Sequence, residues 1–167
     1  FKIKQIYDFA DSYLRSWFPK LPSYTAFVIR LNRLSTAFHH LVGHLLSVYP
    51  SDCQFNTSVL DSMPVITCSG KRAGKVANEL TDKGFCSTKG IYYFGLKLHL
   101  LAFVRSNQLP FPESIVISGA SENDLNVFKQ YWANLCYRTF YGDKIYHNGS
   151  FFEQVKKECN SIMLTPV

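Results

Sequence analysis

The sequence contains no Cys-x-x-Cys pair, and its five cysteines, Cys53, Cys68, Cys86, Cys136 and Cys159, form an odd set. Neither a disulfide framework nor a zinc cage is implied, and a reducing cytoplasm is the expected compartment. No apolar run approaches the roughly 18 residues that a bilayer span requires. The opening stretch, FKIKQIYDFADSY, lacks the basic-then-apolar order of a signal peptide. Internal repeats and low-complexity tracts are absent. Acidic residues are comparatively few: 12 Asp and Glu stand against 18 Lys and Arg, for a net charge of +6 and a pI near 9.1. That balance favours an anionic partner, nucleic acid first among them. The chain begins at Phe1 rather than Met and is read as a piece of a longer protein.

What is present is apolar and aromatic. With 47% hydrophobic and 16% aromatic residues in 167, the chain can bury one core, or one core plus a small helical appendage, and disorder is excluded. The first fifty residues carry a helical period. Ile3, Ile6, Tyr7, Ala10, Tyr13, Leu14 and Trp17 recur at helical spacing, and FPKLPS then supplies two prolines and a capping Ser. From Tyr24 to Tyr49 the apolar positions predict one long amphipathic helix, or two joined near Ser35 or Gly43. Lys2, Lys4, Arg15, Lys20, Arg30 and Arg33 against Asp8 and Asp11 make this region the basic one. Residues 1–50 are therefore expected to be a helical DNA-binding region.

Beyond YPSDCQFNTS the texture changes to strands. VLDSMPVIT (59–67), IYYFGLKLHLLAFV (91–104) and SIVISGA (114–120) are β-rich runs bounded by Gly, Pro, Ser and Asn. A helix follows on Leu125, Phe128, Trp132 and Leu135, then the strand YRTFYGD, a helix from about Ser150 to Glu158, and the strand SIML. The order β-β-β-α-β-α-β implies an α/β domain over residues 51–167, a mixed sheet covered by helices. It is the order of the ribonuclease H-like fold, in which the first and fourth strands lie side by side.

On such a fold Asp61, inside the first strand, and Asp143, in FYGDKIYHNG at the end of the fourth, converge. Two neighbouring carboxylates repel unless a divalent cation neutralises them, and hard oxygen ligands select Mg²⁺ or Mn²⁺. Asp61 within an apolar strand is otherwise hard to account for, because a buried carboxylate without a partner is costly. Asp143 taken alone reads equally as a cap. Asp124, in SENDLNVF, is expected to stabilise a helix N-terminus, with a secondary metal role as the lesser alternative. Lys97 and His99 share a face of their strand, opposite Phe94, Leu96, Leu98 and Leu100. That face is either simply polar or a phosphate contact near the site. His40 and His44 stand at i, i+4, but no Glu follows the first, so helix-surface histidines are expected rather than a zinc site.

VLDSMPV, YYFGLKLHLL and FYGDKIY, in that order, resemble the catalytic core of bacterial insertion-sequence transposases of the DDE type, and WFPKLPSYTAFVIRLNRL is similar to the helical N-terminal segment of one such family. The resemblance covers nearly the whole chain. It implies a DNA transposase in which a metal-activated water cuts at the element's end and the freed 3′-hydroxyl attacks target DNA. Asp61 and Asp143 match the first two acids of the triad and would hold the ions. The third, a downstream Glu, has no match. Glu158, near the apolar edge of its helix, is the better substitute; Glu153 is expected to pair with Lys157. The resemblance further implies a homodimer on double-stranded DNA, in the cytoplasm at the nucleoid. Arg30 and Arg33, and Lys71, Arg72 and Lys75 of the long segment between the first two strands, would contact DNA, with Lys97 and His99 nearer the site. That segment, Ser69 to Gly90, is expected to be a poorly ordered loop. A nuclease of the same fold, and a catalytically silent DNA-binding or assembly fragment, are the rival readings.

Overall fold

Caps and breaks decide where the N-terminal helices start and stop. The computed structural model describes residues 3–70 and 77–166, and the chain divides into two units, Phe1–Val48 and Tyr49–Val167. In the first unit, α1 spans Ile3–Tyr13, α2 Tyr24–Arg33 and α3 Ser35–Ser47. Ser23 Oγ accepts the Ala26 amide at 3.4 Å and so caps α2. The long apolar run breaks at Leu34, directly before Ser35, while Gly43 passes inside α3. Tyr7 joins α1 to α2: its hydroxyl donates to the Pro22 carbonyl at 2.8 Å, and its ring meets those of Tyr24 and Phe27 edge-on. No described residue of this unit is buried. No helix among the described residues is long and apolar enough to cross a membrane.

The second unit is a mixed sheet flanked by helices. Its elements are β1 (Cys53–Ser69), β2 (Asp82–Cys86), β3 (Ile91–Arg105), β4 (Phe111–Gly119), α4 (Asp124–Tyr131), β5 (Thr139–Tyr141), α5 (Gly149–Cys159) and β6 (Ile162–Leu164). The long strands β1 and β3 pair antiparallel, with Leu60 opposite Leu101. Near Val65 they approach so closely that a Cβ on Gly95 would lie 2.1 Å from the Val65 carbonyl oxygen, which leaves room for glycine alone. β4 pairs antiparallel with β3, whereas β5 pairs parallel with β1 and β6 parallel with β5. The strands therefore run β4-β3-β1-β5-β6, with β2 paired to the first residues of β3.

Two expectations are corrected at this level. The segment from Ser69 to Gly90 is not all loop, because residues 82–86 form β2, held where Asp82 accepts the Ser121 amide at 3.0 Å and the Ser121 hydroxyl. Lys71, Arg72 and Lys75 lie outside the described residues. The second correction concerns β3. Alternation does put Lys97 and His99 on one face and Leu96, Leu98 and Leu100 on the other, but the covered face is the first. Tyr93, His99, Leu101 and Phe103 are buried, while Leu96, Leu98 and Leu100 are only partly so. The core lies on that covered side, where Leu60, Leu101 and Phe140 meet Val127, Phe128 and Trp132, with Phe151 and Phe152 of α5 packed beside them.

Side chains brace the sheet as well. The Arg138 guanidinium donates to both oxygens of Glu113 at 2.8 and 2.9 Å and to the buried Ser58 hydroxyl at 2.7 Å, and it lies over the Phe103 ring. One bidentate group thus ties the entry to β5 to β4 and β1.

Candidate functional site

The parallel β1–β5 pairing brings Asp61, in the middle of β1, and Asp143, just past β5, to one cleft. The register runs Thr57 with Thr139, Ser58 with Phe140 and Val59 with Tyr141. Two residues further along each chain stand Asp61 and Asp143. Neighbouring strands lie about 4.8 Å apart, and the two carboxylates line one open cleft of about 780 Å³ together with Tyr141, Gly142 and Leu164.

The local backbone orients each carboxylate. Asp61 Oδ1 accepts the Ser62 amide at 2.8 Å. Asp143 Oδ1 accepts the Ile145 amide at 3.0 Å, so Asp143 is also the cap of a short 3₁₀ turn, Lys144–Tyr146. Asp61 is exposed, which corrects the expectation of a buried carboxylate in need of a partner. Alternation turns Leu60 and Ser62 toward the helices and leaves Asp61 on the uncovered face. The second oxygen of each Asp has no protein partner among the described residues.

Tyr146 tests whether this pair fits a cation. Its ring packs over Gly142, where a Cβ would come within 2.7 Å of it. Its hydroxyl is buried with no hydrogen-bond partner. Burial, then the charges of Asp124, Asp143 and Asp61, push the phenol well above its ordinary range. Negative potential from three carboxylates converges on one buried hydroxyl, and a divalent cation at Asp61 and Asp143 would offset it. The donor set, two hard oxygens on a solvent-open cleft, suits Mg²⁺ or Mn²⁺ with the remaining positions filled by non-protein oxygens. Among the described residues no three His, Cys, Asp or Glu side chains gather to hold a metal. Glu158, exposed on α5, accepts from Gln154 at 2.8 Å and does not join the pair. Glu153 forms no ion pair with Lys157, contrary to the sequence expectation; both are exposed, where such a pair gains little.

Beneath the cleft is a buried polar cluster that the sequence reading did not assemble. Asp124 is the first residue of α4, but the cap is Asn123, whose Oδ1 accepts the Leu125 amide at 2.8 Å. The Asp124 carboxylate instead points inward. It lies 3.3 Å from both Lys97 Nζ and His99 Nδ1, and it accepts the Ser62 hydroxyl at 3.1 Å. Burial works against its ionisation most strongly, yet the His99 ring, Lys97 and the Ser62 hydroxyl together hold its carboxyl below the usual carboxylate range. Lys97 also donates to the Glu122 carbonyl at 2.7 Å. His99 Nε2 lies 2.8 Å from Ser118 Oγ, and the Ser118 hydroxyl donates to the Gly119 carbonyl at 2.9 Å. The expectation of a phosphate contact at Lys97 and His99 is corrected accordingly: His99 is fully buried, and both side chains are engaged inside the fold. A cation and an imidazole on one face of an otherwise apolar strand were the available signal for a buried acid opposite them. Ser62 links the two levels, since its amide orients Asp61 and its hydroxyl binds Asp124.

Arg30 and Arg33 stand in the last turn of α2, exposed and without carboxylate partners among the described residues. Lys4 pairs with Asp8 and Arg15 with Asp11, so both acids of this unit are already engaged. His40 and His44 are exposed on α3. Neither a family model, nor a curated protein, nor a solved structure matches this chain. The geometry and chemistry of its own residues carry the functional reading.

Proposed function

We propose that the chain is the catalytic part of a DDE-type transposase of bacterial insertion sequences, acting on double-stranded DNA by metal-dependent phosphoryl transfer. One observation carries this reading: Asp61, in the middle of β1, and Asp143, just past the end of β5, each stand two residues beyond the last parallel β1–β5 pair and line one open cleft. The strand order β4-β3-β1-β5-β6, antiparallel as far as β1 and parallel beyond it, supports a ribonuclease H-like sheet. Asp61 and Asp143 would hold Mg²⁺ or Mn²⁺, and the bound ion supplies charge neutralisation and Lewis acidity at the phosphate. The chain's own residues set the geometry. The Ser62 and Ile145 amides fix one oxygen of each carboxylate and leave the other for the ion. The cluster of Asp124, Lys97 and His99 holds β3 and α4 rigid below them. Arg30 and Arg33 supply phosphate contacts, and a homodimer on DNA at the nucleoid is the working assembly.

A second reading, a DNA-binding or assembly fragment without catalysis, is favoured by the absence of a third acid beside the pair among the described residues. Titration of the protein with Mg²⁺ or Mn²⁺, followed by thermal unfolding and by incubation with DNA carrying element ends, separates the readings. The transposase reading expects metal-dependent stabilisation that Asp61→Asn abolishes while leaving the fold intact. Joined strand-transfer products mark a transposase and hydrolysis alone marks a nuclease, whereas DNA binding without either marks the silent fragment. Metal stabilisation that survives in Asp61→Asn sinks the site.

A further inference from the structure

Away from the carboxylate cleft, backbone pairing brings two thiols together. The Tyr137 amide donates to the Cys159 carbonyl at 2.8 Å, and the Ile162 amide donates to the Arg138 carbonyl at 2.9 Å. The buried Ser161 hydroxyl accepts the Arg138 amide at 2.9 Å and donates to the Leu135 carbonyl at 2.8 Å. These bonds clamp the residues on either side of Cys136 against Cys159 and Ser161. The Cys136 thiol donates to the Asn134 carbonyl at 3.5 Å, and its interaction with Cys159 is the main cause that pushes the Cys159 thiol above its ordinary range. Cys136 is exposed and Cys159 partly exposed, so an oxidant reaches them from solvent, whereas Cys53 is buried.

We propose that Cys136 and Cys159 form a reversible disulfide, a modification site for oxidants of the peroxide class. Cys136, the more exposed, is the attacking sulfur. As a thiolate it attacks one peroxide oxygen; an S–O bond forms, the O–O bond breaks, and the departing hydroxide takes a proton to become water. The Cys159 sulfur then attacks the Cys136 sulfenic acid. An S–S bond forms, the S–O bond breaks, and the Cys159 proton leaves with the hydroxide as a second water. Two thiols and one peroxide thus give one disulfide and two waters. The crosslink ties the entry of β5 to the end of α5 and closes the β5–α5–β6 unit on itself. Asp143 and Leu164, both on the cleft, belong to that unit. Oxidation restricts the unfolded chain and stiffens one wall of the cleft.

The test treats the reduced full chain with hydrogen peroxide, quenches it, and digests it with trypsin. The expected product joins the peptides of residues 130–138 and 158–167, two hydrogens lighter than their sum. The thiol count in denaturant should fall from five to three, and the unfolding temperature should rise and return when dithiothreitol is added. In Cys159→Ser, dimedone should trap a sulfenic acid on Cys136; in Cys136→Ser the linked peptide should vanish while Cys159 stays reduced. Oxidation of both sulfurs without a link, or a link that joins either to another cysteine, overturns the proposal.

Discussion

The helical unit and the sheet unit draw on the same apolar residue types and treat them in opposite ways. In the first, Phe9, Trp17, Phe38, Leu41 and Leu45 are all exposed and no described residue is buried. In the second, Leu101, Phe128 and Phe140 lose all contact with solvent. Burial contributes about 25 cal/mol per Å² of apolar surface, so this source of stability is concentrated in the sheet unit. The helices rest on local terms: the Ser23 cap, the i, i+4 pairs Lys4–Asp8 and Arg15–Asp11, and the Tyr7 contacts. Isolated helices of this length are marginal in water. The contrast extends to charge. Arg30 and Arg33 are exposed and uncommitted, whereas Lys97, His99 and Arg138 are bound up inside.

The sharpest way to break this contrast is to truncate an aromatic on each side of it. Phe128→Ala removes a ring packed edge-on against Phe140 with centroids 5.0 Å apart, and it should cost about 4 kcal/mol. Phe38→Ala, in the helical unit, should cost less than about 0.5 kcal/mol. Urea unfolding of both variants measures the difference, and equal losses would show that the exposed apolar faces of the helices are covered in solution.

Asp124→Ala should come next, at about 3 kcal/mol, because it leaves the partly buried Lys97 ammonium and the fully buried His99 ring without their shared carboxylate. The sign with pH follows from the lowered carboxyl. The contribution is fully present above the unfolded value near 3.8 and is lost as pH falls through the lower folded value. Asp124→Asn should therefore flatten the acid limb of the stability profile below about pH 4. A third comparison is smaller. Ser23→Ala should cost the helical unit about 1 kcal/mol, visible as lost helix signal by circular dichroism with the sheet unit's transition unmoved. The least effect on stability is expected for Arg30→Ala with Arg33→Ala, which removes no internal contact. That variant should instead lower the salt-dependence slope of DNA binding by up to about one unit per lost contact. An unchanged slope would remove these residues from the interface.

Much of the fold was legible because each element carries its own period and punctuation. The long strand ending at Val104 and the helices that begin at Asp124 and Gly149 fall close to where alternation, helical spacing and capping residues put them, whereas β1 starts at Cys53, ahead of the run from Val59 that alternation marks. β2 was missed because DKGFC is short, and it stands as an edge strand through its pairing with Ile91–Gly95 and the bonds of Asp82 to Ser121, residues 39 positions apart. The Asp61–Asp143 pairing was legible from strand order, since parallel neighbours carry residues at equivalent positions abreast. Asp124 does stand in the first turn of α4, as read, but because that place has a sufficient local explanation its inward contacts with Lys97, His99 and Ser62 were not legible.

What the sequence determined by itself is therefore the set of elements, their order, and which residues share a face. Periodicity is a local property of the backbone, and it survives without any knowledge of what packs where. Only the tertiary structure decided which face of β3 is covered. Alternation is the same for either choice, and on local hydrophobicity alone the Leu96–Leu98–Leu100 face would be the buried one. The docking of α4 reverses that outcome, because Asp124 meets Lys97 and His99 while Val127 and Phe128 join Leu60, Leu101 and Phe140 in the core. The pairing of Arg138 with Glu113 and the backbone bond that brings the chain at Cys136 beside Cys159 arise in the same way. Each joins residues whose proximity exists only after helices and strands have packed, so no short window of sequence contains it.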